Sequence, residues 1–151
     1  KGQVNLIVCN SPTSRLGNHM KVKVLKDFHD VFVGDPDCFA FKHLPCSLKE
    51  LLEYPILMLS SKSTTSEYLY HTFAVHDLKL LPEVELNSND LLMDLARIGL
   101  GIACVPDYML DPEDSLKPIS LTEQLPSRQL ILVQHDNLPV SQAAERFLEM
   151  F

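Results

Sequence analysis

Residues 87–110 read NSNDLLMDLARIGLGIACVPDYML, and this stretch decides the fold class. Asn87 and Ser88 are N-cap residues, Asp90 follows where a helix dipole favours negative charge, and Leu91, Leu95 and Ile98 recur at i, i+4 and i+7. Gly99 and Gly101 end the helix. The run Ile102-Ala103-Cys104-Val105 is short and wholly apolar, as a buried strand is, and Pro106 has no N–H to give a sheet, so pairing should stop there. A capped helix, a glycine stop, a buried strand and a proline within two dozen residues suit a binding site more than a catalytic one.

Outward from this segment, strands and helices alternate, the pattern of an α/β fold. Strands are predicted over residues 4–9, 22–25, 30–33, 56–59, 83–86, 102–105 and 130–133. Helix starts are marked by Ser47 with Glu50, by Thr64 with Glu67, and by Ser141 after Val140 as a staple. The last helix gathers Ala144, Phe147, Leu148 and Phe151 on one face, an apolar stripe that needs a surface to cover it. Loops are expected over residues 10–18, 35–37, 111–115 and 134–139.

Apolar residues make up 46% and charged residues 22% of the chain, close to the average of globular domains, and 151 residues suffice for a real core. Thirteen Lys and Arg against twenty Asp and Glu give a net charge of −7, which repels a phosphate backbone. This stretch is therefore not expected to bind DNA by itself. No apolar run has the length of a membrane span, and the start lacks the basic-then-apolar layout of a signal peptide. Cys9, Cys38, Cys46 and Cys104 lack paired spacing and read as reduced thiols, pointing to the cytoplasm.

The strongest site candidate is SSKSTTSE, Ser60–Glu67, a hydroxyl-rich turn between a buried strand and a capped helix. Unpaired N–H groups at the helix start, with the hydroxyls of Ser63, Thr64 and Thr65, could hold an anion such as a carboxylate. The same residues could equally do no more than cap the helix and solvate the loop. Asn10, Ser11 and Pro12 follow the first predicted strand, at a strand end that either lines a crevice or simply starts a turn. Asn87 and Asn89 could reach a ligand through their amides, or only cap the helix. Asp35 and Pro106 are read as hinge positions.

Catalytic patterns fail on spacing. There is no G-x-S-x-G elbow or phosphate-cradling glycine loop, and GLGIAC leaves a helix where a dinucleotide fingerprint would open one. His71 and His76 are five apart, on different faces of a helix. Cys38, His43 and Cys46 form the one tempting metal constellation, but zinc wants a fourth ligand and better-defined pairs. Asp35 and Asp37 flank Pro36 in a turn, and Cys9 and Cys104 sit in apolar strands where thiols pack. No metal site, cofactor or catalytic residue is assigned.

The segment ARIGLGIACVP, residues 96–106, closely resembles the corresponding stretch in LysR-type transcriptional regulators. GQVNLIV at 2–8 is similar to the family's Gly-x-x-Asp strand, with Asn5 in the aspartate position. VFVGDPDCFAF at 31–41 resembles the strand leading into the crossing between subdomains, YPILMLSSKSTTSEYL at 54–69 the strand and ligand loop, and SRQLILVQHDNLPVSQAAERFLEMF at 127–151 the closing strand and helix. The ordered set, more than any one motif, carries the resemblance. It implies a type II periplasmic-binding-protein-like α/β fold with two lobes and a ligand cleft, residues 1–37 plus 107–151 forming an incomplete first lobe and 38–106 the second. It also implies that Ser61, Ser63, Thr64 and Thr65 are ligand contacts and that Asn10 and Ser11 face the ligand from the first lobe, with Asn87 and Asn89 placed across the cleft, either to reach it or to cap the helix.

The expected function is effector sensing: a small, anionic metabolite closes the lobes and shifts the arrangement of a homo-oligomer that controls transcription. The family's winged helix-turn-helix, linker helix and first lobe segments have no counterpart in this sequence, so the chain reads as an N-terminally truncated fragment, with DNA contacted only through that other domain. An incomplete lobe would leave a sheet edge open to pairing. The alternative of another class is a solute-binding protein serving a transporter, and a third is an enzyme on the same scaffold, which would need an acid-base group in the cleft.

Overall fold

The computed structural model describes residues 6–11, 19–135 and 139–150, which group into two compact units, Lys1–Phe28 with Ser127–Phe151, and His29–Pro126. Val4, Asn5, Pro12 and Phe151, named above, lie outside the described residues.

The larger unit holds a five-stranded mixed sheet. In chain order its strands are β3 (Asp30–Gly34), β4 (Ile56–Leu59), β5 (Val84–Leu86), β6 (Ile102–Pro106) and β7 (Lys117–Pro118), arranged β5-β4-β6-β3-β7. β4 runs parallel to β5 and β6, while β3 is antiparallel to both β6 and β7. Side chains alternate across the sheet and so split the core in two. Ile56 and Met58 of β4, Ile102 and Cys104 of β6 and Phe32 of β3 join one cluster with Leu48 and Leu51 of α1 (Leu48–Leu51) and Tyr68, Leu69 and Phe73 of α2 (Thr64–Val75). Leu57, Ala103, Val105 and Val33 point to the opposite face and meet Leu92, Met93 and Ala96 of α3 (Asn89–Arg97). A central strand covered on both faces must be apolar at every position, which is why ILML and IACV show no alternation. Complete burial of Leu57 and Leu92 contributes about 1.5–3 kcal/mol each.

α3 turns a different stripe inward from the one its sequence suggests. Leu92, Met93 and Ala96 are buried, whereas Leu91 is 46% and Ile98 69% exposed and only Leu95 packs partly against the core. The i, i+4, i+7 rule offered two overlapping apolar stripes, and the sheet's position selected the second. The ends behave as expected. Ser88 caps the N-terminus, and Gly99 takes φ 83 at the C-terminus, where its N–H donates to Ala96 and that of Leu100 to Leu95. Gly101 is required by close packing instead, since a Cβ there would stand 2.7 Å from the Pro55 carbonyl oxygen.

The smaller unit contains β1 (Leu6–Ser11), β2 (Met20–Phe28), β8 (Arg128–His135) and α4 (Gln142–Glu149), with the strands in order β1-β8-β2, all antiparallel. Ser141 caps α4, and Ala144 is its buried residue. β2 carries Lys21, Lys23 and Lys26 and an irregularity at Val24/Lys26, devices that discourage further pairing at an edge, whereas β1 carries no charge.

The contacts divide the chain at other points than the sequence reading did. Residues 29–37 and 107–126 belong with the larger unit, because β3 and β7 are hydrogen-bonded into its sheet and Phe32, Val33, Leu116 and Ile119 into its core. The connections between units fall at Phe28–His29 and Pro126–Ser127, so Asp35 and Pro106 are not at them. Pro106 is buried opposite Asp30, and Asp35 sits in a turn where its carboxylate accepts from Asp37 N–H at 2.9 Å. β1 and β8 also run past their expected ends and take in residues assigned to loops.

Candidate functional site

β4 and β5 are parallel neighbours, and each hands the chain to a helix after a short turn. The turns are joined, since Ser60 N–H donates to the Leu86 carbonyl at 2.8 Å. The N-termini of α2 and α3 therefore open beside one another at the carboxyl ends of two parallel strands, the position where α/β sheets commonly bind ligands.

The α2 cap is Ser63, not Thr64. Its backbone is extended and its hydroxyl accepts from Ser66 N–H at 3.0 Å, while Ser66 Oγ donates to the Leu59 carbonyl at 2.6 Å. The expected pairing of Thr64 with Glu67 loses to a frame one residue earlier, because this frame also lets Ser66 tie the helix to β4. Lys62 N–H donates to Ser60 Oγ, and Ser61 is exposed at the tip. Among the described residues, nothing accepts from the N–H groups of Ser61 and Thr64. Thr65, also singled out as a contact, is 6% exposed and lies within the packed first turn.

α3 mirrors this arrangement. Ser88 Oγ accepts from Leu91 N–H at 3.2 Å, Asn87 is exposed, and Asn89 occupies the first helical position. The Asn89 Oδ1 atom is buried without a hydrogen-bond partner. Such an atom loses its water and gains nothing in return, a cost of about 1–3 kcal/mol that a bound group would offset. A flip of the amide would present a donor in place of the acceptor.

Together the turns offer two helix dipoles, unpaired N–H groups, the hydroxyls of Ser61, Ser63 and Thr64, and the Asn89 amide. Glu67 and Asp90 in the first turns are exposed and partly offset the positive ends, so an anion would be held more by directed hydrogen bonds than by net charge. Asn10 and Ser11 belong to the smaller unit, within β1 opposite Leu130 and Gln129, and not just beyond a strand end.

The other sequence candidates are held by separate partners. Cys38 Sγ stands against Gly99, Cys46 is buried beside the Leu121 bridge, and His43 Nε2 lies 3.2 Å from Glu50 Oε1 at the surface. Burial pushes the Cys46 and Cys9 thiols upward, away from the reactive thiolate. Among the described residues no three His, Cys, Asp or Glu side chains are gathered as a metal site, and no helix is long and apolar enough to cross a membrane.

Two functional-looking residues escaped the sequence reading. Arg128 is 1% exposed, donates from Nε to the Ser11 carbonyl at 3.0 Å and stands 5.4 Å from the Phe28 ring centre. Asp114 is gripped by Arg97 and held down to about 2 by those hydrogen bonds, aided by the N–H groups of Leu116 and Ser115. Neither carries a local motif, because each depends on partners distant in sequence.

The profile of the LysR substrate binding domain matches residues 1–151. The chain belongs to that family. LysR-type proteins are transcriptional regulators, and this domain is their effector-sensing part, with the type II periplasmic-binding-protein-like fold. Among solved structures, the CcmR regulatory domain of Synechocystis in complex with 2-PG matches 97% of the chain and 71% of its own, with TM-score 0.81 and 16% identity. The effector binding domain of QuiR in complex with shikimate matches 96% and 68%, with TM-score 0.80 and 17% identity. HinK, a LysR family regulator from Pseudomonas aeruginosa, matches 96% at TM-score 0.74 and 14% identity, and the chain spans about half of it, 51%. Identities this low carry the fold alone, while the family rests on the profile. No curated protein matches the sequence.

Proposed function

We propose that the joined turns at Ser60–Thr64 and Asn87–Asn89 form part of the effector site, and that the effector is a small carboxylate or related anion. The N–H groups of Ser61 and Thr64, which no acceptor among the described residues meets, at a helix start joined to that of α3, carry this reading, and the unpartnered Asn89 amide adds a donor in its flipped orientation. Ser61, Ser63, Thr64, Asn87 and Asn89 are its contacts here. Thr65 supports the turn from within. CcmR in complex with 2-PG and QuiR in complex with shikimate support the ligand class, since both complexes hold small molecules in domains of this fold.

The site is a sensor and not a catalyst, with no cofactor. Effector binding biases an equilibrium between arrangements of a homo-oligomer in the cytoplasm, and DNA is contacted by a domain outside residues 1–151. Membership of a regulator family weighs against a transporter's solute-binding protein.

A thermal-shift series tests this with shikimate, a panel of aliphatic carboxylates, inorganic phosphate and neutral sugars. A carboxylate should raise the melting temperature in a concentration-dependent way, and Thr64→Val or Asn89→Ala should abolish the response. A response confined to neutral sugars, or one that survives both substitutions, would reject the reading.

A further inference from the structure

The larger unit has a second concavity at the far end of its sheet. Because β3 is antiparallel to β6, Gly34 ends β3 beside the start of β6, away from the carboxyl ends of β4 and β5. Around Gly34 lies a cavity of about 270 Å³, lined by Phe39, Phe41, Leu44 and Ile119, with Asp35 and Lys117 as its charged members. That volume is near the lower bound for small-molecule sites, about 300 Å³.

The aromatic wall is built, not incidental. Tyr54 meets Phe39 edge-on with ring centres 6.0 Å apart and Phe41 at 4.6 Å, and its hydroxyl donates to the Ala40 carbonyl at 3.1 Å. Three consecutive loop residues are thus fixed by one side chain, and the backbone before them is closed by Cys38 and Phe39 N–H groups donating to the Asp35 carbonyl. Leu44 is nevertheless 55% exposed, an apolar surface left facing water.

The charges are not equivalent. Lys117 Nζ donates to the Pro112 carbonyl at 2.9 Å, which steadies the ammonium and leaves two N–H groups for another acceptor. One Asp35 oxygen is already used by Asp37 N–H, and its negative charge disfavours a second carboxylate on the same ligand.

We propose that this cavity is a second binding site, taking a planar apolar ring that carries a single carboxylate, with the ring against Phe39, Phe41 and Ile119 and the carboxylate on Lys117. It is separate from the joined turns and stands or falls independently of them.

An NMR titration of the labelled chain tests it with four probes: phenylacetate, neutral phenylacetamide, phenethylammonium and acetate. Phenylacetate should shift the non-proline amides of residues 34–44 and 117–119, acetate should not, and phenethylammonium should bind more weakly than phenylacetamide. Lys117→Met keeps the aliphatic stem at an exposed position, and should weaken phenylacetate by about tenfold or more while leaving phenylacetamide unchanged. Shifts absent from these segments, equal binding of cation and anion, or a Lys117→Met variant that binds phenylacetate as before would each overturn the proposal.

Discussion

Arg97 holds Asp114 in a forked grip, Nε to Oδ1 at 3.0 Å and Nη2 to Oδ2 at 2.7 Å, and so fastens the last turn of α3 to the loop before β7. Asp114 is only 10% exposed, and its carboxyl lies at about 2 against an ordinary 3.8. A carboxyl lowered by folding stabilises the fold fully above its ordinary value, and the contribution disappears as pH falls through the folded value. Asp114→Asn should therefore cost roughly 1–2 kcal/mol at pH 7, a figure reduced for the partial exposure of Arg97. Denaturant titrations from pH 7 to pH 2 should show the two proteins converging between about pH 4 and pH 2. A constant difference over that range would mean that the pair does not act through charge.

Asp77 follows α2 with φ 55, in the left-handed region, and its N–H and that of Leu78 close the helix on Ala74 and Phe73. Glycine adopts this conformation without a Cβ penalty. Asp77→Gly should raise stability by about 0.5 kcal/mol, read as a later denaturation midpoint with unchanged slope.

Gly101 responds in the opposite sense. Its Cβ would stand 2.7 Å from the Pro55 oxygen and 2.9 Å from Leu57 Cγ, and the same Pro55 oxygen accepts from Ile102 N–H at 2.8 Å. One methyl group would push β6 away from the segment entering β4. Gly101→Ala should cost about 2–3 kcal/mol by thermal denaturation, more than a Gly-to-Ala change at an open position.

Arg128 anchors the start of β8 under the end of β1. Arg128→Met keeps most of the volume but removes the donor to the Ser11 carbonyl and the charge over Phe28, and should destabilise the fold by about 1–3 kcal/mol. Amide exchange should accelerate in β1 and β8 more than in β4 and β6 if the effect is local.

Local signals were legible from the sequence wherever one residue type has one structural use. Ser47 with Glu50, Ser88, Gly99 and Ser141 all stand at the helix ends they announced, and Ile56–Leu59 is a strand over the residues expected. Where the chain offers two adjacent equivalents, packing decides. Ser63 displaced Thr64 as cap because Ser66 could then bond Leu59, and Leu92 displaced Leu91 because the sheet lies on that side. The short edge strand Lys117–Pro118 was invisible, since a proline and a lysine carry no strand signal and its pairing with Val33 and Gly34 is long-range. The hydroxyl-rich turn was found by composition, but its link to the asparagines depends on Ser60 meeting Leu86, which no spacing encodes.

If one effector engages both helix starts, amide NMR of the labelled chain during titration with shikimate and the aliphatic carboxylates reads it at both. Binding should move Ser61–Thr64 and Asn87–Asp90 together, along one saturation curve, and Asn89→Ala should remove both sets of shifts. Saturating binding that leaves either turn unmoved, or that persists unchanged in Asn89→Ala, would contradict it.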